Sequence, residues 1–141
     1  QRPRLVHASA PLLFSAVRGL LYALAHAAPG ATLLVAGEQA TKLPLDCARN
    51  MRRLLESIAG HKKVLVRHGS YILADVVAVC RERPLPAAGM AELLPGIHAL
   101  LGMCTEIEVQ AVHAASDGGR QRVLKELLES YERSFKHRGK V

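Results

Sequence analysis

His68-Gly69-Ser70-Tyr71-Ile72-Leu73-Ala74-Asp75-Val76-Val77-Ala78-Val79-Cys80 is the stretch on which the fold turns. Val64-Leu65-Val66 and Tyr71 to Val79 are rich in β-branched residues, and with Gly69-Ser70 between them they match a hairpin. The competing pattern is helical, because Ile72, Val76, Val79 and Cys80 recur at three- and four-residue spacing. The segments on either side decide it, since they carry helical periods. The reading is therefore a helix from about Gly69 to Arg83, stopped by Pro84 and Pro86, in an all-α fold.

Downstream, Leu85 to Gly89 reads as a linker. A helix then starts near Met90, is kinked or restarted by Pro95-Gly96, and continues to about Met103. Thr105-Glu106-Ile107-Glu108 has the spacing of a capping box, in which hydroxyl and carboxylate satisfy free backbone N–H groups. It opens a helix to about Ala115. Asp117-Gly118-Gly119 turns the chain into a last helix, whose Val123, Leu124, Leu127, Leu128, Tyr131 and Phe135 form an apolar stripe. Arg120, Arg122, Lys125, Glu126, Glu129, Glu132, Arg133 and Lys136 lie on its other face.

Upstream, Pro44 is placed in the first turn of a helix stopped by Gly60. Ala48, Met51, Leu54, Leu55 and Ile58 face inward, while Arg49, Arg52, Arg53 and Glu56 face out. The segment Ala31 to Leu43 fits a short helix or a buried turn. A first helix, capped by Ser9 or Ser15 with Pro11 in its opening turn, carries Leu12, Leu13, Ala16, Val17, Leu20, Leu21 and Leu24 on one face. Pro29-Gly30 ends it. The arrangement expected is one domain of stacked antiparallel helices like the end of an α-solenoid of the HEAT or armadillo kind.

The composition fits this. Half of the 141 residues are apolar and only five are aromatic, with no Trp, so the core is built from Leu, Ala, Val and Ile. Gln1-Arg2-Pro3-Arg4 and the apolar run after it loosely resemble a signal peptide, but Arg18 interrupts the run and no Met begins it. Pro84 to Cys104 holds Glu92, His98 and three prolines, which makes it a poor membrane span. The expectation is a fragment of a larger soluble protein with no membrane partner. Cys47, Cys80 and Cys104 stand far apart and read as reduced thiols.

The net charge is +7, and it is segregated. From Lys42 to Arg67, seven basic residues face only Asp46 and Glu56. From Arg120 onward, seven more face Glu126, Glu129 and Glu132 at ordinary helix-pairing spacing. Pro84 to Gly119 holds no Lys or Arg but carries Glu92, Glu106, Glu108 and Asp117. Such a distribution points to an anionic partner, nucleic acid first. The candidate RNA-contacting residues are Arg49, Arg52, Arg53, Lys62, Lys63 and Arg67. Leu128, Tyr131 and Phe135 are the candidate protein-docking residues.

The residues show no chemistry. The Gly118-Gly119 pair follows no strand and precedes no Lys-Ser/Thr, so it is not a phosphate cradle. The proximity of His68, Ser70 and Asp75 is of a kind common by chance. His98 and His113 fall among apolar residues as core histidines do, and Cys104 has no base near it in sequence to activate its thiol. The expectation is a non-enzyme without catalytic residue, metal, cofactor or small-molecule substrate.

Three stretches taken together resemble the C-terminal domain of the family of unhealthy ribosome biogenesis protein two, also called nucleolar preribosomal-associated protein two. They are His68 to Val76, Leu94-Pro95-Gly96-Ile97-His98-Ala99-Leu100-Leu101 with Cys104 after it, and Gly119 to Leu127 with Tyr131. Their order and spacing carry the resemblance, which runs from about Leu45 to Lys140. Val76 replaces an aromatic residue of the family pattern, and His137 to Val141 lacks its terminal Trp. The resemblance implies a nucleolar scaffold acting early in large-subunit assembly. The partners it implies are a sister helical-repeat protein, a DEAD-box RNA helicase and pre-ribosomal RNA. It assigns no catalytic residue. The alternative is a helical module that binds proteins alone.

Overall fold

The computed structural model describes residues 3–26 and 39–138, and no strand occurs among them. The elements are α1 (Pro3–His26), α2 (Gln39–Gly60), the single turn α3 (Lys62–Leu65), a 3₁₀ turn (Val66–His68), α4 (Gly69–Glu82), α5 (Ala87–Met103), α6 (Glu106–Ala114) and α7 (Gly118–Arg138).

The disputed stretch is α4, and its burial explains its composition. Ile72, Leu73, Val76 and Val77 have no exposed surface and Val79 almost none, because α1, α5, α6 and α7 all pack against this helix. A helix covered on several sides is apolar nearly all round. Its β-branched residues disfavour an isolated helix only slightly, and burying each one is worth about 1.5–3 kcal/mol, so packing overrides propensity. Val76 is fully enclosed.

The second axis of the fold is the contact between α2 and α5. Ala48, Met51, Leu55 and Ile58 of α2 are buried, as are Leu93, Ile97, Leu100, Leu101 and Met103 of α5. A Cβ on Gly96 would lie 2.9 Å from Arg52 Cα and 3.0 Å from its carbonyl oxygen. Glycine is thus what lets α5 lie on the α2 backbone at this crossing. At Gly102, six residues on, a Cβ would sit 3.1 Å from the side-chain hydroxyl of Tyr131 in α7.

Several boundaries differ from the sequence reading. α1 begins at Pro3, so Ser9 and Ser15 are interior residues and Pro11 lies within the helix. Its inward face is Ala10, Val17, Leu21, Leu24 and Ala25, whereas Leu12 and Leu20 are exposed. α2 begins at Gln39, which puts Pro44 in its second turn. There the proline forgoes a single intrahelical hydrogen bond. α5 begins at Ala87 with Pro86 as its N-cap, and it runs through Pro95 to Met103 without a restart. The linker shortens to Pro84–Pro86. Pro29-Gly30, most of Ala31 to Leu43 and the last three residues lie outside the described residues.

The capping box is formed. Thr105 Oγ1 accepts from the Glu108 N–H at 3.3 Å, and Glu108 Oε2 accepts from the Thr105 N–H at 2.7 Å. The chain bends by 110° between α5 and α6. α7 starts at Gly118, two residues earlier than a glycine turn implies, because Asp117 Oδ1 accepts from the Arg120 N–H at 2.9 Å. That bond caps the helix and holds the Asp117 carboxyl below its usual range.

Among the described residues one helix has the length and hydropathy to cross a membrane, His7–His26, with a mean hydropathy of 1.4. Its inward face joins the common core with Met51, Leu55 and Val76, and core helices of globular proteins meet the same test.

Candidate nucleic-acid interface

α2 presents Arg49, Arg52 and Arg53, and the α3 region presents Lys62, Lys63 and Arg67. The structure divides these six. Arg49 Nη2 donates to Glu92 Oε1 at 3.3 Å, and its Nη1 donates to Asp46 Oδ1 at 3.2 Å. Arg52 Nη1 lies 3.8 Å from Glu92 Oε2, and its Nε lies 3.7 Å from Glu56 Oε1. Glu92 thus reaches across from α5 and holds both arginines. Its hydrogen bond and its charge raise the Arg49 guanidinium further above its ordinary value.

Lys62 donates from Nζ to the Gly102 carbonyl at 3.4 Å, near the end of α5, where carbonyls lack intrahelical partners. Arg53, Lys63 and Arg67 are exposed, and no carboxylate among the described residues pairs with them. A shallow cleft of about 660 Å³ beside this region is lined by Gly60, His61, Lys62, Lys63, Val64 and Val66. Three of the six candidates are therefore committed within the fold by a carboxylate or carbonyl, and three offer uncompensated charge. The sequence reading missed Glu92 because that residue sits in the segment counted as acidic and remote.

The docking stripe divides as well. Leu124 and Leu127 are core residues, and Leu128 and Tyr131 pack against the core while partly exposed. Phe135 is 60 % exposed. Its ring stands 5.0 Å from that of Tyr131, which meets His98 edge-on at 5.8 Å. His98 Nε2 is 3.2 Å from Ser130 Oγ. These rings border a groove of about 390 Å³ that also touches Glu56, Leu94, Pro95, Ala99 and Gly102. His113, expected near the core, is exposed on α6.

The basic residues of α7 are drawn inward at one end. Arg120 Nη2 donates to Glu82 Oε1 at 2.8 Å, and Tyr22 Oη donates to Glu82 Oε2 at 2.8 Å. One carboxylate thereby ties α1, α4 and α7. These two bonds, Tyr22 first, hold Glu82 below the usual carboxylate range.

Among the described residues no three His, Cys, Asp or Glu side chains gather as metal ligands do. Burial pushes the Cys80 thiol up to about 11 and, with Glu108 adding to it, the Cys104 thiol up to about 12. Lys62 does lie near Cys104, contrary to the sequence reading, and lowers its pKa, but burial wins. Thiols in such surroundings are protonated and unreactive.

No solved structure matches the chain. The family model described as the Urb2/Npa2 family matches residues 1–140. The match extends over the first 44 residues, where the sequence motifs carry no resemblance of their own. This chain belongs to the Urb2/Npa2 family, a family of ribosome biogenesis.

Proposed function

We propose that this domain is a non-catalytic scaffold module of early large-subunit assembly, working in the nucleolus and contacting pre-ribosomal RNA through its phosphates. The observation that carries the reading is the uncompensated charge of Arg53, Lys63 and Arg67 beside Arg49 and Arg52, which Glu92, Asp46 and Glu56 hold within the fold. Phosphate contacts release counterions, so the affinity is tolerant of sequence and falls with salt. Protein partners of the pre-ribosomal particle, a sister helical-repeat scaffold and a DEAD-box helicase, complete the assembly. In this reading the stacked helices form the end of an α-solenoid.

The test is RNA binding over a range of salt concentrations. Each phosphate neutralised contributes a slope of about −0.7 to log K against log salt on single strands. Engagement of the three uncommitted cations therefore predicts a slope of about −2, and engagement of all six about −4. Absence of binding at low salt overturns the RNA contact.

A second reading has its own observation. Phe135, exposed beside the groove of Leu94, Pro95 and Tyr131, supports a protein-docking module whose link to RNA is indirect. Replacing Leu128 and Phe135 with Ala in the full-length protein tests it: loss of a protein partner from a folded domain supports docking, and loss of folding assigns the stripe to the core.

A further inference from the structure

Four rings alternate between α1 and the start of α4. Tyr71 stands 5.8 Å from Phe14 with their planes 31° apart, and Phe14 stands 5.3 Å from His68. His68 in turn lies 5.4 Å from His7, with His7 Nδ1 3.1 Å from His68 Nε2. The inner rings have neighbours on both sides, whereas Tyr71 ends the ladder, 63 % exposed. Its hydroxyl has no hydrogen-bond partner among the described residues and faces solvent.

The surroundings of the ladder are mainly cationic. Arg67 is exposed, carries no ion pair and lies close enough to His68 for its charge to oppose protonation there. Arg18, one turn beyond Phe14, is 61 % exposed and sits 3.9 Å from Asp75. Asp75 is the nearby acid and is three-quarters covered. An exposed ring held in place by a second ring, with an unpaired guanidinium near the ladder, is the arrangement that binds unpaired nucleotides: the base stacks and a phosphate meets the cation.

We propose that the free face of Tyr71 is a stacking platform for an unpaired base of RNA, with Arg67 taking a flanking phosphate. This rests on the reading that the domain contacts RNA, and it adds the form of RNA selected. Duplex bases are already stacked on one another and do not reach such a ring. Every base offers a π face, so the preference is for single strands and not for a sequence.

The experiment compares a short unstructured RNA with the duplex of the same sequence, on the 141-residue chain at one low salt concentration. The expected result is tighter binding of the single strand, a loss of roughly tenfold on Tyr71→Ala for the single strand alone, and retention by Tyr71→Phe. The melting temperature of Tyr71→Ala stays near that of the unchanged chain, because the ring is mostly exposed. An equal loss for both RNAs overturns stacking. Unchanged single-strand affinity in Tyr71→Ala overturns the platform while the basic surface stands, provided reversal of Arg53, Lys63 and Arg67 to Glu still weakens binding. If Tyr71→Ala leaves RNA affinity intact but loses a protein from complexes recovered from cells, the ring belongs to a protein contact. Failure of the unchanged chain to bind either RNA overturns the platform and the RNA reading together.

Discussion

Gly96 of α5 lies directly on the backbone of Arg52 in α2, so close that a single added methyl group would press on main chain before it met the Arg52 side chain. This crossing supports the arginine face of α2 from beneath. It also places Glu92, one turn before Gly96 on α5, beside Arg49 and Arg52.

Gly96→Ala is therefore expected to destabilise the domain by about 1–3 kcal/mol, the cost of overpacking a close contact. Gly89→Ala is the control, since nothing lies within 4 Å of a Cβ there and alanine favours the helix by up to about 1 kcal/mol. Urea denaturation of the two variants measures the contrast. Equal stabilities would show that the helices separate at no cost.

Reversal of charge on α2 has two separable effects. Arg49→Glu and Arg52→Glu leave Glu92 beside like charges, so these changes weaken the α2–α5 contact as well as any RNA contact. Arg53→Glu, with no carboxylate partner, lowers RNA affinity and leaves the melting temperature unchanged. Glu92→Gln leaves Arg49 only with Asp46 and Arg52 only with Glu56, which loosens both and steepens the salt dependence of RNA binding. A slope unaltered by Glu92→Gln would mean that these arginines never meet phosphate.

Stability falls as pH drops through the histidine range. Burial first, then His7 and Arg67, hold His68 below its ordinary value of 6.5. The unfolded chain thus takes up a proton at a pH where the folded one does not, and stability is lost on descending from about 6.5 toward the lower folded value. The hydrogen bond between His7 and His68 reinforces this, because it requires a neutral ring as acceptor. Asp75 acts oppositely at lower pH, since burial outweighs Arg18 and raises its carboxyl. Its contribution is present in acid and fades as pH climbs through that raised value. Melting temperatures between pH 7 and pH 5 check the first effect, and His68→Gln should flatten the profile.

Leu124→Ala should cost about 2–5 kcal/mol, as expected for a fully buried leucine. Phe135→Ala, on the same stripe, should change stability by no more than about 0.5 kcal/mol. Thermal denaturation separates them, and a large loss from Phe135→Ala would make that ring part of the core.

What the sequence disclosed follows from range. The Thr105–Glu108 box was legible because both partners stand three residues apart and act on their own turn. The helicity of Tyr71 to Val79 was legible from its period, but its burial on several sides depends on four other helices. Pro11 and Pro44 read locally as first-turn residues and Pro95 as a break, yet each lies inside its helix and forgoes one hydrogen bond there. The pairing of Glu92 with Arg49 and Arg52 joins residues about forty positions apart, and no local pattern announces it. That one carboxylate engages two of the three arginines that α2 could offer a ligand.

The enclosure of α4 bears on how the molecule comes into being. During synthesis this helix leaves the ribosome after α1 but before α5, α6 and α7, so its Ile72, Leu73, Val76 and Val77 emerge without most of their cover. In that interval the Tyr71–Val79 run has the composition of an aggregation-prone strand. The helix gains its full cover only when the chain through α7 is available to close around it.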